Sequence, residues 1–370
     1  MKILVTGGAG FIGSHLVDKL VERHEVVVLD NLEQQVHTKG APEHLNSQAS
    51  YIFEDIRTSE TLKKAIEGVE IVFHEAAAVG VGQSMYEIKK YVEVNTCGTA
   101  NLLDLLVNTE HQVKKLIVAS SQSIYGEGAY NCDECGPVYP QLRSENQLRQ
   151  RQWEIRCSSC GKIASPVPTT ESKPLNPSSI YSITKRDQEE MSLAVGKAYG
   201  LPTVALRYFN VYGPRQSLNN PYTGVCAIFS ARIKNDKAPV IFEDGHQMRD
   251  FVSVHDIVNA NITAMKKAKS NYEVFNVGTG CPTTIIDIAS TLARLFDKTV
   301  TPDVTHKYRA GDTRNCFADI SKITSTLGFK PTTTFYEGMG DLIAWGKDTE
   351  AIDRFEEAHK DLEQRGLVEK

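Results

Sequence analysis

No stretch of this chain is long and apolar enough to cross a bilayer. Its longest apolar runs, such as Ile3 to Thr6 and Val26 to Leu29, are strand-sized, against the ~20 residues a spanning helix requires. Blocks of like charge are also missing. With 41 Lys and Arg, 46 Asp and Glu and a net charge of −5, there is no global field to draw in nucleic acid or an anionic membrane, so an anionic ligand must be held by local groups. The first strand candidate begins at Lys2, which leaves no space for a secretory leader, and the expected compartment is a reducing, cytoplasmic one. Repeats of solenoid length are absent. Disorder is not expected either, because 370 residues with 41% hydrophobic content can bury a substantial core.

What is present is an α/β pattern. Lys2 to Thr6, Val26 to Asp30, Tyr51 to Phe53, Ile71 to Glu75 and Leu116 to Ser120 read as apolar strands separated by helical segments. The strands alternate little, as a parallel sheet covered on both faces requires. The expected architecture is a Rossmann-type doubly wound sheet over residues 1–206, interrupted by an insertion at 129–168. A smaller substrate-binding lobe follows at 207–345, with about 250–268 returning to the first domain, and a charged, peripheral C-terminal helix spans 346–370.

Directly after the first strand stands Gly7-Gly8-Ala9-Gly10-Phe11-Ile12-Gly13, opening an amphipathic helix. Glycines let the backbone turn tightly and approach a pyrophosphate, and the N–H groups and positive dipole end of the helix meet its charge. Asp30, ending the second strand, can accept hydrogen bonds from both adenosine ribose hydroxyls and would repel a 2′-phosphate, which selects NAD over NADP.

Two further segments carry chemistry. Tyr181 and Lys185 lie one helical turn apart on a predicted helix, where an ammonium can lower a phenol's pKa and make it a usable base. Ser121-Gln122-Ser123 ends a strand at the carboxyl edge of the sheet, where open α/β sheets bind ligands.

The glycine turn, the serine-rich strand end, Tyr-x-x-x-Lys and the run Arg207-Tyr208-Phe209-Asn210-Val211-Tyr212-Gly213-Pro214 together resemble the extended short-chain dehydrogenase/reductases, the NAD-dependent epimerase/dehydratase family. The resemblance implies a bound NAD that takes hydride from a sugar, Tyr181 as base, Lys185 tuning it and Ser121 supporting the reacting oxygen. It places Asp55 and Ile56 at the adenine, Asn31 beside Asp30, Ala76, Ala77 and Ala78 along the cofactor with Tyr208, and Asn95 behind Tyr181. Asn210, Arg215, Arg249, Arg309 and Asp312 match positions that hold a nucleotide diphosphate sugar, and a homodimer is implied through the helices near Tyr86 to Val107 and Tyr181 to Tyr199.

Sugar dehydratases and uronic acid decarboxylases of this family resemble one another in carrying an acidic residue beside the Ser121 position, where this chain has Gln122 and Ser123. Without that acid–base partner elimination is disfavoured, and reversible oxidation and reduction remain, which is epimerisation at C4. The loops Gly213 to Ser217 and Asn220 to Gly224, with the closing Gln364-Arg365-Gly366-Leu367, are similar to the dTDP-L-rhamnose 4-epimerase branch of the family. UDP-hexose or UDP-uronic acid 4-epimerase, a 4-ketoreductase and a non-enzymatic dinucleotide sensor are the alternatives.

Inside the insertion, Cys132-x-x-Cys135-Gly136 and Cys157-x-x-Cys160-Gly161 match the spacing of a four-thiolate zinc ribbon. Four protein ligands leave no position for a substrate water, so the zinc is expected to be structural. Arg143, Arg149, Arg151 and Arg156 could offer phosphate contacts on the ribbon, although an exposed polar surface explains them equally well. Cys97, Cys226, Cys281 and Cys316 are expected to be small buried hydrophobes.

Overall fold

The computed structural model describes residues 1–369. Seven parallel strands form the central sheet: β1 (Lys2–Thr6), β2 (Glu25–Leu29), β3 (Ser50–Ile52), β4 (Ile71–His74), β5 (Lys115–Ser121), β6 (Thr203–Tyr208) and β7 (Val274–Val277), in the order β7-β6-β5-β4-β1-β2-β3. Every residue of β4, β5 and β6 is buried. Alternate side chains explain why: Ile3, Val5 and Phe73 enter one core, while Leu4, Val72 and Val118 enter a second on the opposite face. The chain runs outward from β1 through β2 to β3 and then returns to β4 on the other side of β1. That reversal opens a crevice at the carboxyl ends of the strands.

The return of the second half to the sheet reaches further than residues 250–268. The helix Val254–Lys266 does pack on the helix Phe11–Val21, but β7 also joins the sheet edge beside β6, and the helix Ser321–Leu327 packs against β7. What remains forms the second lobe. Helices Val225–Lys234, Ile285–Leu295 and Phe335–Asp348 enclose a separate core around Phe229, Ile288 and Met339. Beyond it the tail is two elements rather than one. The helix Phe335–Asp348 ends first, and a distinct helix, Phe355–Gln364, buries Ala358 and Leu362.

The insertion is a three-stranded antiparallel ribbon of Ala129–Cys132, Gly136–Val138 and Ser165–Val167. Of the four scattered cysteines, Cys226 and Cys316 are buried as expected, but Cys97 and Cys281 are exposed. Among the described residues, no helix is long and apolar enough to cross a membrane.

Candidate active site

The glycine turn is built as tightly as its residues suggest. Gly7 has φ 72°, and a Cβ there would stand 2.8 Å from the Ala76 nitrogen; one at Gly13 would stand 2.2 Å from the Gly7 oxygen. Gly10 caps the following helix without a side-chain acceptor, which leaves the first helical N–H groups, at Phe11 and Ile12, open to an anion. Asp30 closes the turn from β2: its oxygens accept from the Ala9 and Leu32 N–H groups at 3.0 and 2.9 Å. A carboxylate has lone pairs to spare after two such bonds, so the ribose hydroxyls can still be accepted.

Around the expected adenine end, Asn31 donates to Asp55 at 3.0 Å. Partial burial would raise the Asp55 carboxyl, but hydrogen bonds from Arg57 and Asn31 outweigh it and hold the pKa down to about 2. Ile56 is buried beneath, against Gly98. On the other side of the crevice, Asn95 sits in a π-helical turn, Val92–Cys97, whose wider spacing aims its side chain inward. It accepts from the Ala78 N–H at 2.7 Å and donates to Thr184 Oγ1 at 3.0 Å and to the Ala78 oxygen. One amide therefore ties the strip Ala76-Ala77-Ala78 to the helix that carries Tyr181.

That helix, Ile180–Tyr199, begins at a capping box of Ser179 and Ser182 and ends at Gly200 in the left-handed region. It is fastened to the sheet by Glu189, which receives Arg207 of β6 and Ser120 of β5 in full burial. Tyr181 is thereby presented beside Ser121, with the Tyr91 ring edge-on at 6.4 Å. Ser121 Oγ accepts from the Ser123 N–H and hydroxyl at 3.1 and 2.9 Å. Gln122 is carried on the same short turn, Gln122–Tyr125.

The expected lowering of the Tyr181 pKa is not found. Burial raises it, and only the hydrogen bond with Ser121 works downward. The reason is the position of Lys185, whose ammonium donates to the Ala119 oxygen at 2.5 Å and Gln188 Oε1 at 2.6 Å rather than facing the phenol. Burial lowers Lys185 itself to about 8, opposed by Glu75 and Glu189.

Two residues at the site were not anticipated. Glu75, just past β4, accepts from the Tyr208 hydroxyl at 2.8 Å, and Asn261 donates to that hydroxyl at 2.7 Å. Burial pushes Glu75 up to about 7, against the Tyr208 hydrogen bond and the Lys185 charge. Gln188 links Lys185 to the buried His74 and Thr99. Neither belongs to a recognisable motif; the only signal was a charged residue in an otherwise apolar strand end.

The nucleotide-diphosphate candidates do not all converge. Arg249 donates to the carbonyl oxygens of Met248, Thr313 and Arg314, and Arg309 pairs with Asp312 at 2.8 Å while lying over the Phe242 ring. Both arginines thus fasten the loop 309–314. Its Gly311 oxygen accepts from Ser178, three residues before Tyr181. Asn210 keeps a buried Oδ1 without a partner, free for a ligand. Arg215, in a left-handed conformation (φ 67°), pairs with Asp18 at 2.7 Å on the flank of the helix Phe11–Val21, while its buried Nη1 keeps no partner.

In the ribbon, the sulfur atoms of Cys132, Cys135, Cys157 and Cys160 all lie within 4.8 Å of one another, with Cys132 and Cys160 at 3.5 Å. Thiolates around tetrahedral zinc at ~2.3 Å stand ~3.8 Å apart, so the donor set fits the ion. Gly136 and Gly161, at φ 78° and 76°, supply the turn after each pair. The ribbon arginines are engaged: Arg143 with Glu243, Arg149 with Glu145, Arg151 with Glu369 and Arg156 with the Gly161 oxygen. They form no free basic surface.

The NAD dependent epimerase/dehydratase family model matches residues 3–143 and 155–278. The chain is 35% identical to dTDP-L-rhamnose 4-epimerase of Burkholderia thailandensis over 93% of its length and 94% of that protein. It is 32% identical to a putative UDP-glucose 4-epimerase of Methanocaldococcus jannaschii, over 94% and 98%. Among solved structures, UDP-glucose 4-epimerase of Thermotoga maritima with UDP-glucose superposes with a TM-score of 0.77 at 33% identity, covering 94% of this chain and 99% of that one. UDP-glucuronic acid 4-epimerase of Bacillus cereus, in complex with UDP-glucuronic acid and NAD, gives 0.74 at 29%, over 94% and 99%. With a glycine turn too tight for side chains and the Asp30 carboxylate held against it, lone pairs to spare, the residues present fit NAD. The chain belongs to the NAD-dependent epimerase/dehydratase family.

Proposed function

We propose that this protein is an NAD-dependent nucleotide-sugar 4-epimerase, an isomerase, with dTDP-L-rhamnose as its leading substrate. The observation that carries the reading is the pairing of Tyr181 with Ser121 at a sheet edge where the neighbouring side chains, Gln122 and Ser123, are neutral. Bound NAD would supply a reversible hydride acceptor. Tyr181, as phenolate, would take the proton of the C4 hydroxyl and Ser121 hold that oxygen, with Lys185 turning from Ala119 and Gln188 toward the phenol to favour its charged form. Among the described residues the groups bonded to the Ser121 hydroxyl, from Ser123 and Tyr181, include no carboxylic acid to protonate a departing hydroxyl, and Glu75 is engaged by Tyr208. A 4-keto sugar can therefore only turn over and be reduced again.

The 35% identity to a dTDP-L-rhamnose 4-epimerase favours that sugar, and UDP-hexoses and UDP-uronic acids stand next. Asn210, Arg215, Arg249, Arg309 and Asp312 would hold the diphosphate, the guanidiniums turning from their present partners. The four ribbon thiolates would hold a structural zinc ion, in keeping with a cytoplasmic, reducing setting. Helices Ile88–Tyr91 and Ile180–Tyr199 pack together and leave Ile88, Val92 and Ile183 exposed, which suits a homodimer through this face.

The test is proton NMR of the purified protein with a panel of dTDP- and UDP-sugars and no added cofactor. A C4 epimer of one sugar is expected, and Tyr181→Phe should slow its formation by about 10³-fold. A dehydrated, decarboxylated or unchanged panel would refute the reading, and turnover only with added NADPH would mark a ketoreductase.

A further inference from the structure

The last helix and the residues after it are not a solvated appendage. At its near end the segment is fixed to the second lobe: Asp353, almost fully buried, receives Arg232 at 3.3 Å and Lys237 at 2.9 Å, and the Arg232 guanidinium lies 4.6 Å over the Phe355 ring. The helix Phe355–Gln364 then crosses toward the other lobe. Leu362 stands so close to Gly82 that a Cβ there would meet it at 3.3 Å, and the Arg365 guanidinium lies 4.1 Å over the Tyr86 ring. Gly82 and Tyr86 come soon after the strip Ala76-Ala77-Ala78, and Tyr86 bonds Tyr222 at 2.6 Å.

After a turn at Gly366 the chain doubles back. The Ala310 N–H donates to the Leu367 oxygen at 2.9 Å and the Glu369 N–H to the Tyr308 oxygen at 3.0 Å, so Val368 pairs with Arg309 as a short strand. Val368 and Leu362 bury with Phe242, over whose ring Arg309 lies. Glu369 continues to Arg151 of the insertion at 2.5 Å. Residues 355–369 thus touch the cofactor-side wall at Gly82 and Tyr86, the loop bearing Arg309 and Asp312, and the ribbon insertion.

We propose that residues 355–369 form a strap that closes the cleft over the nucleotide sugar, hinged at the Arg232–Asp353 pair and released at Gly82 and Tyr86. It sets how tightly the sugar nucleotide is held while leaving the dinucleotide turn untouched. This rests on the nucleotide-sugar reading. The asymmetry of the anchors carries the direction of movement. The near end is held by the buried Arg232–Asp353 pair, whereas the far end rests on Leu362 and Val368 beside Phe242, one stacked arginine, two backbone hydrogen bonds and the partly exposed pairs Arg151–Glu369 and Lys307–Glu363, which solvent screens, so it is the part that opens at least cost. Strap and loop share those backbone bonds, so lifting the strap also frees Arg309 to turn.

Hydrogen–deuterium exchange on the full chain, with UDP and with dTDP as probes, tests this without a variant. Slower exchange in residues 355–369 together with 81–86 and 307–311 is expected. Protection of 81–86 and 307–311 without the strap would overturn the strap alone, and protection nowhere would overturn it together with the nucleotide-sugar reading. Leu362→Asp should raise KM for the turned-over sugar about tenfold with little change in kcat and in retained NAD. Arg365→Ala, at an exposed position that cannot unfold the protein, should do the same to a lesser degree. An unchanged KM in both variants would contradict the strap whatever the epimerisation result.

Discussion

Lys185 stands one turn from Tyr181, yet its ammonium serves the Ala119 carbonyl and Gln188. The spacing Tyr-x-x-x-Lys fixes the shared helix face but not the direction of a four-carbon side chain, which is set by the acceptors within reach. In this structure burial holds the phenol in its protonated form, so less of the phenolate that acts as base is present than in water. Glu75 adds a second titrating group to the same neighbourhood, facing Tyr208 of β6 and Lys185 of the helix, with the neutral buried His74, lowered to about 3 by burial, beside it on β4. Its folded pKa of about 7 lies above the ordinary value of 4.5, so the folded protein keeps a proton that the unfolded chain has already released. The native state is therefore penalised as pH rises from about 4.5 toward 7 and is unaffected below that window. Glu75→Gln removes the penalty: its unfolding midpoint relative to the parent, followed by thermal melts, should climb between pH 5 and 8. A difference that stays flat across that range would show that Glu75 is not held protonated.

At the scale of elements, the sequence was most legible where chemistry and backbone coincide. The glycine turn could be read residue by residue because only glycine satisfies φ 72° at Gly7 and the contact that a Cβ at Gly13 would make. The boundaries of β1 to β5 lie within a residue or two of the expected runs, since strands buried on both faces must be apolar throughout. The edge strand β7 was missed, because Val274–Val277 is only four residues long and belongs to the sheet only through its pairing with β6. The Asp18 partner of Arg215 was hidden for a related reason: an arginine in a motif gives no sign of which carboxylate its backbone turn will face. The cysteine pairs, by contrast, announced their cluster, because Cys-x-x-Cys followed by glycine has one compact geometry. The ribbon should bind a single zinc ion per chain, measured by elemental analysis. Cys135→Ser or a strong chelator should remove it and lower the unfolding midpoint by on the order of 5 °C. Full metal retention in Cys135→Ser would argue against the four-thiolate site.

Over the whole molecule, three pieces of chain that are distant in sequence meet on one loop. The segment leading into the ribbon holds residues 314 and 315 through Glu127, which accepts both backbone N–H groups at 2.7 Å, and Arg143 of the insertion shares the buried Glu243 with Arg314. The second lobe supplies Arg249 from below, and the strap pairs with residues 308–310 from above. A buried arginine pair sharing one carboxylate is costly to break, so the insertion is bonded into the lobe that faces the sugar rather than appended to it. None of this convergence was visible in the sequence, because each partner lies in a segment with its own sufficient local explanation, a zinc ribbon, a phosphate arginine or a charged terminal helix. The sheet and its second lobe share one crevice, and the neutral edge at Ser121 implies that whatever enters it leaves with its atoms intact and one centre inverted.

Epimerisation by oxidation and return of the same hydride makes a demand that no elimination or exogenous reduction shares. The direct measurement is to incubate the protein, as purified, with dTDP-L-rhamnose deuterated at C4 and follow C4 by proton and deuterium NMR. Transient oxidation at C4 predicts the C4 epimer with deuterium retained at the inverted carbon. Loss of the label to solvent during inversion, or no inverted product from this sugar or from the UDP-sugars labelled in the same way, would contradict that mechanism.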